Sequence, residues 1–175
     1  MADLTKLNIT KAEEQVENDQ WWEKYVNNIF YKIKKGLDQD FLGKKISFIK
    51  SYPLDNLSEH GVSRKRRPDF GLEFMNNDCK VIVFIELKCS DYSQYFIDGY
   101  KEFYDLIHVA KNNLSNSEEK VEIFGLFAVH SKNKREIIDF RYKVQNLGID
   151  IPILEKEDFD YLEQSCEINE SYAFL

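Results

Sequence analysis

The sequence predicts an α/β fold in which a central mixed β-sheet is flanked by helices. Three observations predict it. Residues 69–74 and 81–87 are short apolar runs separated by Met75-Asn76-Asn77-Asp78, which reads as a hairpin with its turn. The second run is apolar on both faces, apart from charges near its end, and such a strand is buried at the centre of a sheet. An amphipathic helix precedes the hairpin, and a helix and a further apolar strand follow it.

The elements are justified in order. Residues 11–35 form the first helix. Trp22, Tyr25, Val26, Ile29, Phe30 and Ile33 recur at i, i+3, i+4, i+7, i+8 and i+11, the spacing of one apolar face. Thr10 suits the N-cap, Glu13 its capping-box partner, and Gly36 the stop. A first strand is expected over 45–50. Residues 52–67 hold Pro53, Asn56, Gly61 and several charges, so they form a loop. In strand 69–74, Phe70, Leu72 and Phe74 face one way, and Asp69, Gly71 and Glu73 the other. Helix 92–113 carries Phe96, Tyr100, Phe103, Tyr104 and Ile107 on one side. Strand 121–130, helix 137–147 ended by Gly148, a short strand at 151–154 and a helix at 155–166 complete the order α-β-β-β-α-β-α-β-α. A parallel crossover after the hairpin is right-handed by rule.

The 175 residues, 43% of them hydrophobic and 14% aromatic, suit one domain over 1–175 with a sizeable core. Few glycines and prolines and no linker-like tract argue against a division. No apolar run approaches the ~20 residues of a membrane span, and the N-terminal residues lack the apolar core of a signal peptide. Cys79, Cys89 and Cys166 are three in number and not spaced like metal ligands. They read as reduced thiols of an intracellular protein, cytoplasmic or nuclear. The net charge of −7 argues against a broad nucleic-acid surface but leaves room for a local basic cleft. Arg64-Lys65-Arg66-Arg67 is the best such cluster, directly before Pro68-Asp69; Lys132-Asn133-Lys134-Arg135 is a second. Either also reads as a solvated loop.

The chemistry concentrates in the hairpin. Asp69 opens its first strand, and Glu86 and Lys88 sit two apart near the end of the second, so these two point to one face. Charges at the end of a buried strand cost free energy unless paired or bound to a metal. Two carboxylates and a lysine converging there make a candidate divalent-metal site.

Pro68-Asp69, a gap of 16 residues, then Glu86-Leu87-Lys88 resembles the signature of the PD-(D/E)xK nuclease superfamily. That superfamily includes restriction endonucleases, Holliday-junction resolvases and repair exonucleases. Its restriction-endonuclease-like αβββαβ core corresponds to about residues 11–130 here, although the motif itself is only five residues. The resemblance implies a Mg²⁺-dependent endonuclease acting on phosphodiester bonds, on DNA rather than RNA, with Mn²⁺ able to substitute. Asp69 and Glu86 would be metal-binding carboxylates, with the Leu87 carbonyl as a further ligand. Mg²⁺ suits such hard oxygens and retains waters. Lys88 would orient or deprotonate the attacking water and stabilise transition-state charge. Its carboxylate neighbours favour the protonated form, which favours the second role. Arg64, Lys65, Arg66 and Arg67 would hold substrate phosphates.

Many members add a glutamate from the first helix. Glu23 is the best placed, with Glu14 and Glu17 as alternatives; each also reads as a solvated helix edge. Glu73 shares the Asp69 face and is either a secondary acid or a surface residue. Gln94 and Tyr100 loosely echo an exonuclease subgroup, at a different spacing. An RNA endonuclease of the cap-snatching type shares the core but usually adds a histidine, and His60, His108 and His130 are not placed for it. A catalytically inactive nucleic-acid-binding or assembly module is the reading from another class, and the intact Asp69, Glu86 and Lys88 argue against it. The acidic balance limits affinity for nucleic acid, so a homodimer or larger complex would help to complete a cleft. Trp21 and Trp22 read as core and helix-end packing.

Overall fold

Two long apolar strands fix the centre of the molecule. The computed structural model describes residues 18–31, 50–58, 66–76, 78–114 and 120–172. Residues 18–31 are helical (α1). Strand β1 (Lys50–Ser51) is followed by a 3₁₀ turn over Leu54–Ser58, inside the expected loop. Then come β2 (Phe70–Asn76), β3 (Cys79–Cys89), α2 (Ser93–Leu114), β4 (Val121–His130), α3 (Lys134–Gln145), β5 (Ile153–Leu154) and α4 (Lys156–Tyr172). Thr10, Glu13, Glu14, Glu17, Ile33, Gly36, Arg64 and Lys65 lie outside the described residues, as does most of the expected strand 45–50.

The sheet order is β1-β2-β3-β4-β5. β1, β2 and β3 pair antiparallel, while β3, β4 and β5 pair parallel, so the sheet is mixed. The β2–β3 register runs from Phe70↔Ile85 to Asn76↔Cys79, which leaves only two residues to turn the hairpin. From Lys80 onward β3 matches the whole of β4, Lys80↔Val121 to Cys89↔His130. Parallel neighbours need a crossover, and α2 supplies it.

Helices cover both faces. On one, Ile82, Phe84, Ile123, Phe127 and Val129 pack with Phe96, Tyr100, Phe103 and Ile107 of α2 and Phe140 of α3. On the other, Ile85, Leu87, Cys89 and Ala128 pack with Trp22, Val26 and Ile29 of α1 and Phe159 of α4. Full burial of such a side chain contributes about 1.5–3 kcal/mol. This explains why β3 and β4 read as nearly continuous apolar runs. The α1 stripe holds as expected, with Tyr25 and Phe30 half-buried at its edges. Tyr104 departs from the α2 stripe: it is exposed and stacks on His108. Leu106 and Ala110 take the buried positions instead.

Gly125 decides how closely α2 lies on β4. A Cβ there would stand 3.0 Å from both Ile107 and Phe103, so any other residue would force these side chains to give way. The second basic cluster is a helix start. Asn133 caps α3 by accepting the Arg135 N–H at 3.2 Å, and Lys134 pairs with Glu157 at 2.7 Å.

Candidate functional site

The hairpin register brings the three charged groups together. Phe70↔Ile85 is its last pair, and one further step places Asp69 across from Glu86. Asp69 Oδ2 accepts the Leu87 N–H at 2.7 Å, a bond that continues the ladder with a side chain where β2 has not yet begun. In a strand the N–H and C=O of one residue point to the same edge. The Leu87 carbonyl therefore lies on the edge that carries Asp69. Lys88 donates from its ammonium to Glu86 Oε1 on the opposite face of the strand from Leu87.

These groups stand at the carboxyl end of β3, beside the start of α2, a place where α/β sheets commonly bind ligands. A cleft of ≈ 160 Å³ opens there. Asp69, Leu87 and Lys88 form its floor, Asp19 and Glu23 of α1 one wall, and Tyr95 of α2 another. Glu86 does not line the cleft but pairs with Lys88, which does; their side chains are 14% and 20% exposed. Gly99 on α2 makes room for the lysine, because a Cβ there would stand 2.8 Å from Lys88 Cε. A glycine inside a helix costs ~1 kcal/mol relative to alanine, and here the space is used by a functional candidate.

The site carries more negative than positive charge. Burial pushes the Glu86 carboxyl up to about 7; Lys88 opposes the shift and the Asp69 carboxylate adds to it. Asp69 keeps some exposure, yet desolvation by the surrounding protein raises its pKa as well. The Leu87 N–H and Lys88 pull it down, and Glu23 and Asp19 push it up. For Lys88, burial favours loss of the proton, but Glu86 and Asp69 outweigh it and the net shift is upward. Lys88 therefore keeps its charge at neutral pH.

A hard divalent cation fits this donor set. The Asp69 charge raises the proton affinity of Glu86, and a cation held near both carboxylates would relieve that repulsion. Among the described residues, no three His, Cys, Asp or Glu side chains cluster closely enough to hold a metal ion alone. A metal held here would therefore draw on the Leu87 carbonyl and on water to complete its shell.

The other sequence candidates separate clearly. Glu23 lies in the cleft wall, exposed, close enough for its charge to act on Asp69. Glu73 pairs with Lys80 at 3.2 Å. It stands opposite Ile82, four residues and hence ~13 Å along the strand from Glu86. Arg67 forms an ion pair with Asp55 of the 3₁₀ turn at 2.6 Å, while Arg66 is exposed. The Gln94–Tyr100 pattern does not assemble. Gln94 bonds Asp98 on the surface, and the Tyr100 hydroxyl is buried, donating to the Ile151 carbonyl at 2.8 Å. Trp22 is core, 1% exposed, but Trp21 is 45% exposed, stacks on Tyr25 and meets His130 at a tilt. Burial lowers the His130 pKa. Cys89 lines the cleft with a thiol that burial pushes up to about 11, so it is unreactive at neutral pH.

Sequence reasoning missed Asp19, Tyr95 and Gly99. Asp19 had a signal, since it precedes Glu23 by four residues on the same helix face. Among the described residues no helix is long and apolar enough to cross a membrane. Compared with known proteins, the chain matches no family model, no curated protein and no solved structure.

Proposed function

We propose that this chain is a metal-dependent endonuclease that hydrolyses phosphodiester bonds, with DNA as its substrate and a restriction-endonuclease-like core. The observation that carries the reading is the meeting of Asp69, Glu86 and Lys88 at one strand end, with negative charge in excess. The order α-β-β-β-α-β from α1 to β4 supports it. Tyr100, committed to the core, removes the feature that spoke for an exonuclease.

Asp69, Glu86 and the Leu87 carbonyl would hold Mg²⁺ or Mn²⁺. The chemistry such an ion supplies is acidification of a water and neutralisation of phosphate charge. The remaining roles belong to the chain. Asp69 spends one oxygen on the Leu87 N–H, which fixes its carboxyl against the strand. Glu86 is oriented by the Lys88 ammonium. Lys88, charged and held in place by Glu86 and the space at Gly99, stabilises negative charge that develops on the phosphate oxygens. A protonated lysine is a poor general base, so its role is electrostatic. Arg66, exposed just before Asp69, suits a phosphate contact that positions without reading sequence.

The test is incubation of the full chain with closed circular and linear DNA, duplex and single-stranded, and with RNA, in Mg²⁺ or Mn²⁺. Cleavage of a closed DNA circle is the expected result. Uncut substrates under every condition would overturn the proposal.

A further inference from the structure

A second hollow borders the acidic cleft. It measures ≈ 350 Å³, within the range of small-molecule sites. Phe30, Tyr31, Tyr52 and Phe70 supply its aromatic lining, and Asn27 and Ser51 its amide and hydroxyl. Asp69 lines both this hollow and the cleft, so the two are neighbouring compartments separated by one candidate metal-binding carboxylate.

We propose that this cavity is a nucleobase pocket, and that the substrate is therefore single-stranded or locally unpaired nucleic acid. The inference rests on the reading of Asp69, Glu86 and Lys88 as a phosphodiester site. Four observations carry it. Aromatic rings offer stacking partners that accept any base. An amide and a hydroxyl can meet the polar edge of a base. The position beside Asp69 sets the pocket next to where the scissile phosphate would lie. Lys88 is the one cation that the described residues contribute to either hollow. With a net charge of −7, non-specific attraction to phosphates is limited, and base contacts would add affinity. A base can enter a protein cavity only after leaving its stack, which costs least in an unpaired strand.

The test is fluorescence anisotropy of the full chain in Ca²⁺ with labelled oligothymidylate, oligouridylate and a blunt DNA duplex. Oligothymidylate should bind at least about tenfold tighter than the duplex, and more tightly than oligouridylate. Tyr31→Ala should weaken single-strand binding by about tenfold, the scale of one lost stacking partner. Tyr31 is 67% exposed, so the thermal midpoint should not move. Ser51→Trp, which fills the pocket, should act in the same direction. Wild-type affinity in Tyr31→Ala, or a duplex bound as tightly as the single strands, would overturn the pocket. Failure of the nuclease reading looks different: no substrate is cut in Mg²⁺ or Mn²⁺, while Tyr31→Ala still loses single-strand affinity.

Discussion

The β2–β3 hairpin carries a Glu–Lys pair at each end, and the two ends are built differently. Towards the turn, Glu73 and Lys80 pair across the strands at 3.2 Å, with side chains 22% and 32% exposed. One anion meets one cation, and water reaches both. At the far end, Glu86 and Lys88 lie on one strand, more deeply buried, and Asp69 adds a second carboxylate. Asp19 and Glu23 add further negative charge nearby. Burial, with the charges of Asp69 and Glu102, raises the Glu86 pKa to about 7 against the pull of Lys88. The same residue types on the same hairpin face thus give a self-neutralised surface pair and a buried arrangement with more anions than cations. The excess, and not the presence of an ion pair, distinguishes a candidate site from a structural contact, since exposed pairs contribute only ~0–1 kcal/mol.

The largest effect expected from this contrast is on cleavage. Asp69→Asn and Glu86→Gln should each reduce metal-dependent cutting to the level of the buffer blank, whereas Glu73→Gln should cut within about twofold of wild type. Asn and Gln keep shape and much of the hydrogen bonding, so circular dichroism should show an intact fold. Full activity in Glu86→Gln would erase the difference between the two ends.

Lysine replacement comes next. Lys88→Ala should lose roughly 10²–10³ in turnover, the scale of one positioned charge-stabilising group. Lys80→Ala should lose nothing measurable. Isothermal titration with Mn²⁺ should still detect binding in Lys88→Ala, because an ammonium is not a ligand. Normal turnover at saturating metal would remove Lys88 from the mechanism.

Two glycines sharpen the comparison between site and core. Gly99→Ala pushes against the Lys88 stem at 2.8 Å and should lower turnover by about tenfold, or ~1.4 kcal/mol of barrier. Its thermal midpoint should stay near wild type, because alanine improves helix propensity. Gly125→Ala crowds Phe103 and Ile107, where overpacking costs ~1–3 kcal/mol. It should lower the thermal midpoint and spare turnover. Kinetics paired with thermal melts on both variants would expose any exchange of these roles.

The smallest effect is on stability against pH without metal. The Glu86 carboxyl binds its proton more tightly folded than unfolded, with a pKa raised from 4.5 to about 7. Its contribution is therefore fully present below pH ~4.5 and is lost as the pH rises through about 7. Asp69, shifted in the same direction, adds to the slope from its lower starting value. The metal-free thermal midpoint should fall across this window. Glu86→Gln should flatten the fall, and saturating Mn²⁺ should reverse it. A slope equally steep in Glu86→Gln would show that other groups carry it.

The sequence by itself determined the elements and their faces. Residue alternation in β3 and the 3.6-residue stripe of α1 are local periodicities, and they set which side chains turn inward whatever the partner. Alternation also put Glu86 and Lys88 on one side, and the hairpin turn put Asp69 within reach of them. Tertiary structure alone decided what meets that trio. Packing of α1 across the sheet brought Asp19 and Glu23 to the cleft, and the crossover after β3 laid Gly99 over Lys88. Burial of the Tyr100 hydroxyl against the Ile151 carbonyl took that tyrosine out of consideration. The pairing of Arg67 with Asp55 and of Glu73 with Lys80 were likewise long-range or cross-strand outcomes. The physical reason is that periodicity fixes direction within one element, whereas proximity between elements follows from the burial of the whole core.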